Sequence, residues 1–183
     1  GLIGIDFATR RRNRANGRVA AVTPAGYWLV VDQSFGNCPQ YIQQRRVEPA
    51  PRTPGPLEML PGLDAEAVAA LTAADTVFVA TAAAGPNAGV DVSHRGGRPG
   101  FIKVEGDTLT IPDYRGNRYF NTLGNMLAWP RAAILVPDFE TGDLLHLQGV
   151  PEVLFEADAE RTGFAGAERM WRLKVDNVWR RRA

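Results

Sequence analysis

Several things are scarce in this chain, and each scarcity excludes something. A single cysteine, Cys38, in 183 residues forbids an internal disulfide and suits a reducing compartment. Two histidines, His94 and His146, beside that one cysteine are too few for a zinc site built from three or four nitrogen and sulfur ligands, so no metal is expected. Lys plus Arg is 21 against 20 for Asp plus Glu, and so small a basic excess argues against a protein that coats nucleic acid. No apolar run approaches the roughly 18–20 residues that span a bilayer. The expectation is a cytoplasmic protein with neither a membrane nor a nucleic acid as partner. A Walker-type loop and a strand–GxGxxG–helix unit are both missing. The glycine-rich run Gly96-Gly97-Arg98-Pro99-Gly100 contains a proline and lies between strands, which does not fit a dinucleotide fingerprint. No nucleophile–base–orienter set is visible, and Cys38 has no histidine near it in sequence.

What is present reads as β structure. The hydrophobic fraction of 45% is enough for a core. Prolines and glycines crowd residues 49–62, from Pro49 to Gly62. Proline lacks an amide donor and fixes φ, so this stretch reads as a linker between residues 1–48 and 63–183. Asp64 can cap a helix over 65–74. Strand character follows at Val77–Thr81, Gly89–Ser93, Gly100–Val104 and Thr108–Pro112, with Gly106 and Asp107 marking a hairpin. A second helix is expected from Asn117, carrying Phe120, Leu123 and Leu127 at helical spacing and ended by Pro130. Ala132–Val136, Leu144–Gln148, Pro151–Glu156 and Arg169–Val178 complete the set, and the last alternates Trp171, Leu173 and Val175 against Arg172, Lys174 and Asp176. Many strands with two short helices predict a mainly β fold, a small antiparallel barrel.

An internal repeat is also visible. Asp6, Phe7, Thr9 and Gly17 recur as Asp138, Phe139, Thr141 and Gly149, each at an offset of 132 residues. The chain opens on strand-like Leu2, Ile3, Ile5 and Phe7 without a signal pattern. On this reading residues 1–48 are the C-terminal part of a first barrel copy whose upstream part precedes Gly1. The exposed strand edges of such a piece predict a homodimer or association with an N-terminal fragment.

Two segments concentrate polar donors beside glycines. In Asp91-Val92-Ser93-His94-Arg95-Gly96-Gly97 they crowd the end of a strand. In Tyr114-Arg115-Gly116-Asn117 through Asn121-Thr122-Leu123-Gly124-Asn125 they sit at the start of a helix, where free amides and the positive dipole end favour an anion. Arginine adds paired donors that match phosphate. Separately, each segment also fits a plain turn or an ordinary cap. The basic run Arg10, Arg11, Arg12, Arg14 and Arg18 reads equally as a solvated strand face or as a face turned to a site in a partner barrel. Nucleic-acid contact is disfavoured by the lack of interleaved aromatics. Cys38, in the turn Gly36-Asn37-Cys38-Pro39, reads as a small packed residue or as a thiol close to a substrate.

At these residues the chain resembles the pyridoxamine 5'-phosphate oxidase-related FMN-binding split-barrel family, in a tandem-barrel bacterial branch. Carrying the resemblance are residues 89–101, Pro112-Asp113-Tyr114-Arg115-Gly116-Asn117, Asn121-Thr122-Leu123-Gly124-Asn125 and Asp138-Phe139-Glu140-Thr141-Gly142-Asp143. Thr9 to Arg14, Asn16-Gly17-Arg18 and residues 35–42 add to them. The resemblance implies a split β-barrel, with FMN held between two barrels. It passes the phosphate to Ser93, Arg95, Arg115, Asn117 and Thr122, with His94, Asn121, Asn125, Arg12 and Arg14 also near the cofactor. It further implies an FMN-dependent oxidoreductase acting with a small-molecule substrate or electron donor. The phosphate-site Arg-Lys pair of true pyridoxamine phosphate oxidases is not plain here, so that enzyme's substrate and catalytic residues are not carried over. His94 and Tyr114 are the candidates for proton transfer. A non-catalytic flavin- or haem-binding storage module, or a barrel that has lost its cofactor, are the alternatives.

Overall fold

The computed structural model describes every residue except Asn37, Pro86, Asn87, Asn117 and 156–162. The elements in chain order are β1 (Leu2–Asp6), β2 (Arg11–Thr23), β3 (Gly26–Gly36), β4 (Leu57–Leu60), α1 (Ala65–Ala73), β5 (Thr76–Ala83), β6 (Gly89–Gly96), β7 (Lys103–Glu105), β8 (Thr108–Tyr114), α2 (Asn121–Ala128), β9 (Ala132–Pro137), β10 (Leu144–Leu154) and β11 (Ala167–Arg181). They form two antiparallel sheets. The small one is ordered β1-β2-β3, and the large one β6-β5-β9-β10-β11-β8-β7 with β4 added on β11. The mainly β expectation holds, with one refinement: the large sheet is not closed, because β6 and β7 stand at its two ends.

Period-two patterning builds the core. Leu145, Leu147 and Pro151 of β10 and Trp171 and Leu173 of β11 point inward, joined by Val77, Val79, Leu109, Ile111 and Ile134. The helix α1 adds Ala67 and Leu71, and α2 adds Leu123 and Met126. Asp64 caps α1 as expected, accepting from the Ala67 amide at 2.7 Å.

Three local expectations are corrected. Leu57–Leu60, inside the stretch read as a linker, is a strand paired with Val178–Arg181. Its Leu60 is apolar enough to join the core despite the neighbouring prolines. The helix expected from Asn117 begins at Asn121; Asn117 lies outside the described residues. Leu144–Gln148 and the following run from Pro151 are one strand, because β9 pairs only as far as Gly149. Beyond that point the missing amide of Pro151 faces an open edge and removes no ladder bond.

The internal repeat has matching geometry in both copies. The carboxylate of Asp6 accepts from the amides of Ala8 and Thr9, and that of Asp138 from Glu140 and Thr141. The β2–β3 ladder slips between Asn16 and Gly17, and the β10–β11 ladder between Gln148 and Gly149. A β-carbon on Gly17 would collide with the Val30 carbonyl, and one on Gly149 with the Lys174 carbonyl. Each bulge therefore needs its glycine. The slip at Gly149 also flips the inward face of β11, so that Val178 is buried in phase with Arg180 and out of phase with Val175. Phe7 and Phe139, the repeated aromatics, touch edge to face at 5.0 Å.

Gly149→Ala is expected to cost about 1–3 kcal/mol through overpacking. Gly124→Ala, in the open space of α2's exposed side, should stabilise by up to about 1 kcal/mol. Urea unfolding midpoints of the two variants check the contrast.

Candidate functional site

The small sheet meets the large one along β6. Arg14 of β2 donates to Asp91 of β6 at 2.7 Å, with both side chains 5% exposed. Asn16 donates to the other Asp91 oxygen at 2.9 Å. Two residues along β2, Arg12 comes to the same side and donates to the His94 carbonyl at 3.4 Å.

Alternation along β6 puts Asp91, Ser93 and Arg95 on one face. Ser93 Oγ lies 2.9 Å from Thr122 Oγ1 in the first turn of α2. Arg95 donates to Asp113 of β8 at 2.9 Å, and Arg169 of β11 donates to the other Asp113 oxygen at 3.1 Å. Arg169 also stacks over the Phe120 ring at 4.7 Å and bonds Glu168, which Arg118 approaches at 3.6 Å. Arg118 and Phe120 hold positive φ values of 58° and 55°, an unfavourable conformation for side chains of this size. Phe120 is the N-cap of α2 and offers no side-chain cap, so the positive end of this helix is left for another acceptor.

These residues enclose a cavity of about 70 Å³ lined by Arg12, Arg14, Ser93, His94, Arg95, Asp113, Tyr114, Arg118, Tyr119, Phe120, Asn121, Thr122 and Arg169 among others. Arg12, His94, Arg95 and Tyr114 also border a second cavity of about 80 Å³, completed by Cys38, Gln40, Tyr41, Gly96, Phe101, Pro112 and Gly116. Tyr41 and Tyr114 stack there at 5.3 Å. A larger groove of about 350 Å³ lies between α1 and the β9–β10 turn. Its cations Arg45, Arg180 and Arg182 are each held by carboxylates, so among the described residues it presents no unmatched cation.

The smaller cavities differ in this respect. Five guanidinium groups, of Arg12, Arg14, Arg95, Arg118 and Arg169, stand against the carboxylates of Asp91, Asp113 and Glu168. Arg12 has no carboxylate partner among the described residues. The buried Nε atoms of Arg12, Arg14 and Arg95, and Nε2 of His94, have no hydrogen-bond partner among the described residues. Burial, reinforced by Arg14 and Arg95, pulls the Arg12 pKa down to about 10. Burial likewise depresses Arg95, although Asp113 opposes it. His94 falls to about 3, first through burial and then through Arg12 and Arg95, so its imidazole is neutral at physiological pH. Burial raises the Tyr114 hydroxyl above its usual value, and does the same to Tyr41 with help from Cys38 and Tyr114.

The structure brings together Arg12, Arg14, Ser93, His94, Arg95, Tyr114, Asn121 and Thr122 of the residues singled out in the sequence. It does not bring in Arg115, whose side chain is exposed and whose carbonyl accepts from Tyr41. Asn125 turns away to donate to Thr81. Asn117 is outside the described residues. Sequence reasoning missed Arg169 and the two aspartates as site residues. Arg169 leads the alternating strand and Asp113 sits in a quoted motif, but only the fold joins them across 56 positions. Cys38, exposed, gains a cationic neighbour in Arg12 that its sequence context does not supply.

No model of a protein family matches the chain, and no curated protein matches it. Solved structures do. HupZ of Group A Streptococcus is 12% identical, with 64% of this chain and 98% of that one covered at a TM-score of 0.52. A candidate pyridoxamine 5'-phosphate oxidase of Lactobacillus delbrueckii is 15% identical, with 66% and 97% covered at 0.53. The heme storage protein HutZ of Vibrio cholerae, 11% identical with 63% and 91% covered, scores 0.43. About a third of this chain lies outside each of these matches.

Below pH 6.5 the unfolded chain takes up a proton at position 94 that the folded chain refuses until about pH 3. Stability present above 6.5 is therefore lost as pH falls through that window, by at most about 1.4 kcal/mol per unit. His146, also depressed by burial, acts in the same direction. Melting temperatures between pH 6.5 and 5 should fall for the parent chain and fall less steeply for His94→Gln.

Proposed function

We propose that this chain, which has the split-barrel fold of the pyridoxamine 5'-phosphate oxidase-related proteins, binds the phosphate of FMN in the cavity beneath Arg12 and serves as a flavin-dependent oxidoreductase. The observation that carries the reading is Arg12: a half-buried guanidinium whose Nε is fully buried, with no carboxylate partner among the described residues, in a cluster with more cations than anions. A buried cation without a counter-ion is costly, and a phosphate dianion relieves that cost.

The residues fit the group at its phosphate end. Arg12 offers an unmatched charge, Ser93 and Thr122 offer hydroxyls, and α2 offers its uncapped amides. Arg95 and Arg169 brace Asp113 and so hold the floor of the cavity in place. A cavity of about 70 Å³ is far below the roughly 300 Å³ or more that encloses a whole cofactor, so the flavin ring would rest outside it, beside exposed Tyr119 and Phe120. When bound, the flavin supplies the electron transfer itself. The chain's part is to hold, orient and shield.

For proton handling the two sequence candidates separate. A pKa of about 3 leaves His94 neutral and a weak base. Tyr114, a phenol protonated at neutral pH whose pKa burial raises further, can donate a hydrogen bond there. The substrate is a small molecule or an electron donor.

The test compares FMN with riboflavin, which lacks the phosphate. FMN should co-elute with the protein, show flavin absorbance and bind at least tenfold tighter than riboflavin. A charge-assisted contact of about 1.5–3 kcal/mol corresponds to roughly a tenfold to hundredfold effect, so Arg12→Ala should collapse that difference. Arg115→Ala should leave FMN affinity within twofold. Equal affinity for the two flavins would overturn the phosphate reading, and a haem Soret band in place of flavin bands would favour a storage module.

A further inference from the structure

The small sheet carries a core pattern on a face that has no core. The bulges align the two copies, with Gly17 opposite Val31 as Gly149 is opposite Val175. Tyr27, Leu29 and Val31 of β3 thus stand where Trp171, Leu173 and Val175 stand in β11. Trp171 is 0% exposed where Tyr27 is 52%, Leu173 is buried where Leu29 is half-buried, and Val175 is half-buried where Val31 is 51% exposed. In β1, Leu2 is 39% exposed where its counterpart Ile134 is 2%. The edges differ in the same sense. β11 bears β8 and β4 on its outer edge and β9 bears β5, while β1 and β3 pair only with β2 among the described residues.

What covers the equivalent face is visible in the same molecule: the unit of residues 57–131, with β8 on β11, β5 on β9 and α2 packed against β10. We propose that the small sheet is the docking surface for a second polypeptide unit of this make-up. Its strands pair antiparallel with β3 and β1, its helix lies on β2, and its inward residues are apolar like Leu109 and Ile111. β3 carries a single charge, Asp32, so the match is apolar and backbone-driven. A second copy of the chain is not that occupant. Its own 57–131 unit is engaged with its own β9–β11, and two small sheets meeting face to face would leave all four edges unpaired.

The consequence concerns the site, because β2 supplies Arg12 and Arg14 from this half-covered sheet. The test appends residues 57–131, through a flexible linker, before Gly1 in one fusion and after Ala183 in another, and follows amide hydrogen exchange by mass spectrometry. The parent chain should exchange β3 amides freely while β11 stays protected. At least one fusion should slow β3 exchange a hundredfold or more, and Tyr27→Lys with Val31→Lys in that fusion should abolish the gain. The proposal is overturned if neither fusion protects β3 while β11 remains protected. It is equally overturned if the parent chain protects β3 by dimerising, which sedimentation would reveal as the second copy taking the surface.

Discussion

Where Arg14 meets Asp91, a buried ion pair fastens two sheets that, among the described residues, share no backbone hydrogen-bond ladder. Water is excluded from both groups, so losing either partner strands the other charge, a loss of about 3–5 kcal/mol. Coulomb attraction alone does not justify such a pair, since desolvation cancels much of it. What it provides is register. With Arg14 fixed on β6 and Asn16 on the second Asp91 oxygen, the strand can place Arg12 in one position only, over the His94 carbonyl. The unmatched charge at the site follows from the matched charge two residues away.

The rest of the cluster follows a similar logic. Asp113 takes one arginine from β6 and one from β11, tying an end strand of the large sheet to its centre near the cavity. Arg169, held there, lies over Phe120, whose left-handed backbone sets the start of α2. Arg14, Arg95 and Arg169 are each paired with a carboxylate, whereas Arg12, held by the His94 carbonyl, has none among the described residues.

Local signals in the sequence carried the elements well. Asp64 read as a cap, Gly106 as a hairpin, and the alternation of Trp171, Leu173 and Val175 as an inward face, because each depends on neighbours within a few residues. The misreadings have a common cause. Pro151 and the prolines before Leu57 look like breakers unless it is known which backbone edge is already unpaired. Asn117 is a good cap and so predicts the start of α2, whereas the chain enters the helix through a strained Phe120. At the site, individual residues such as Ser93, Arg95 and Thr122 were legible beside their glycines. The pairings of Arg14 with Asp91 across 77 positions, and of Arg169 with Asp113, were not, because strand order decides them.

The contact between Phe7 and Phe139 has one more implication. Where two identical units pair through the same surface patch, equivalent residues meet at the two-fold axis between them. In an assembly of two identical chains any cation near that axis would arrive with its image, and the two would repel. Here a lone Arg45 leans over both rings, 4.0 Å from Phe139 and 5.7 Å from Phe7, anchored on one side by Asp75. With both aromatics on one polypeptide, a single unsymmetrical cation can stand over the pair without meeting an image of itself.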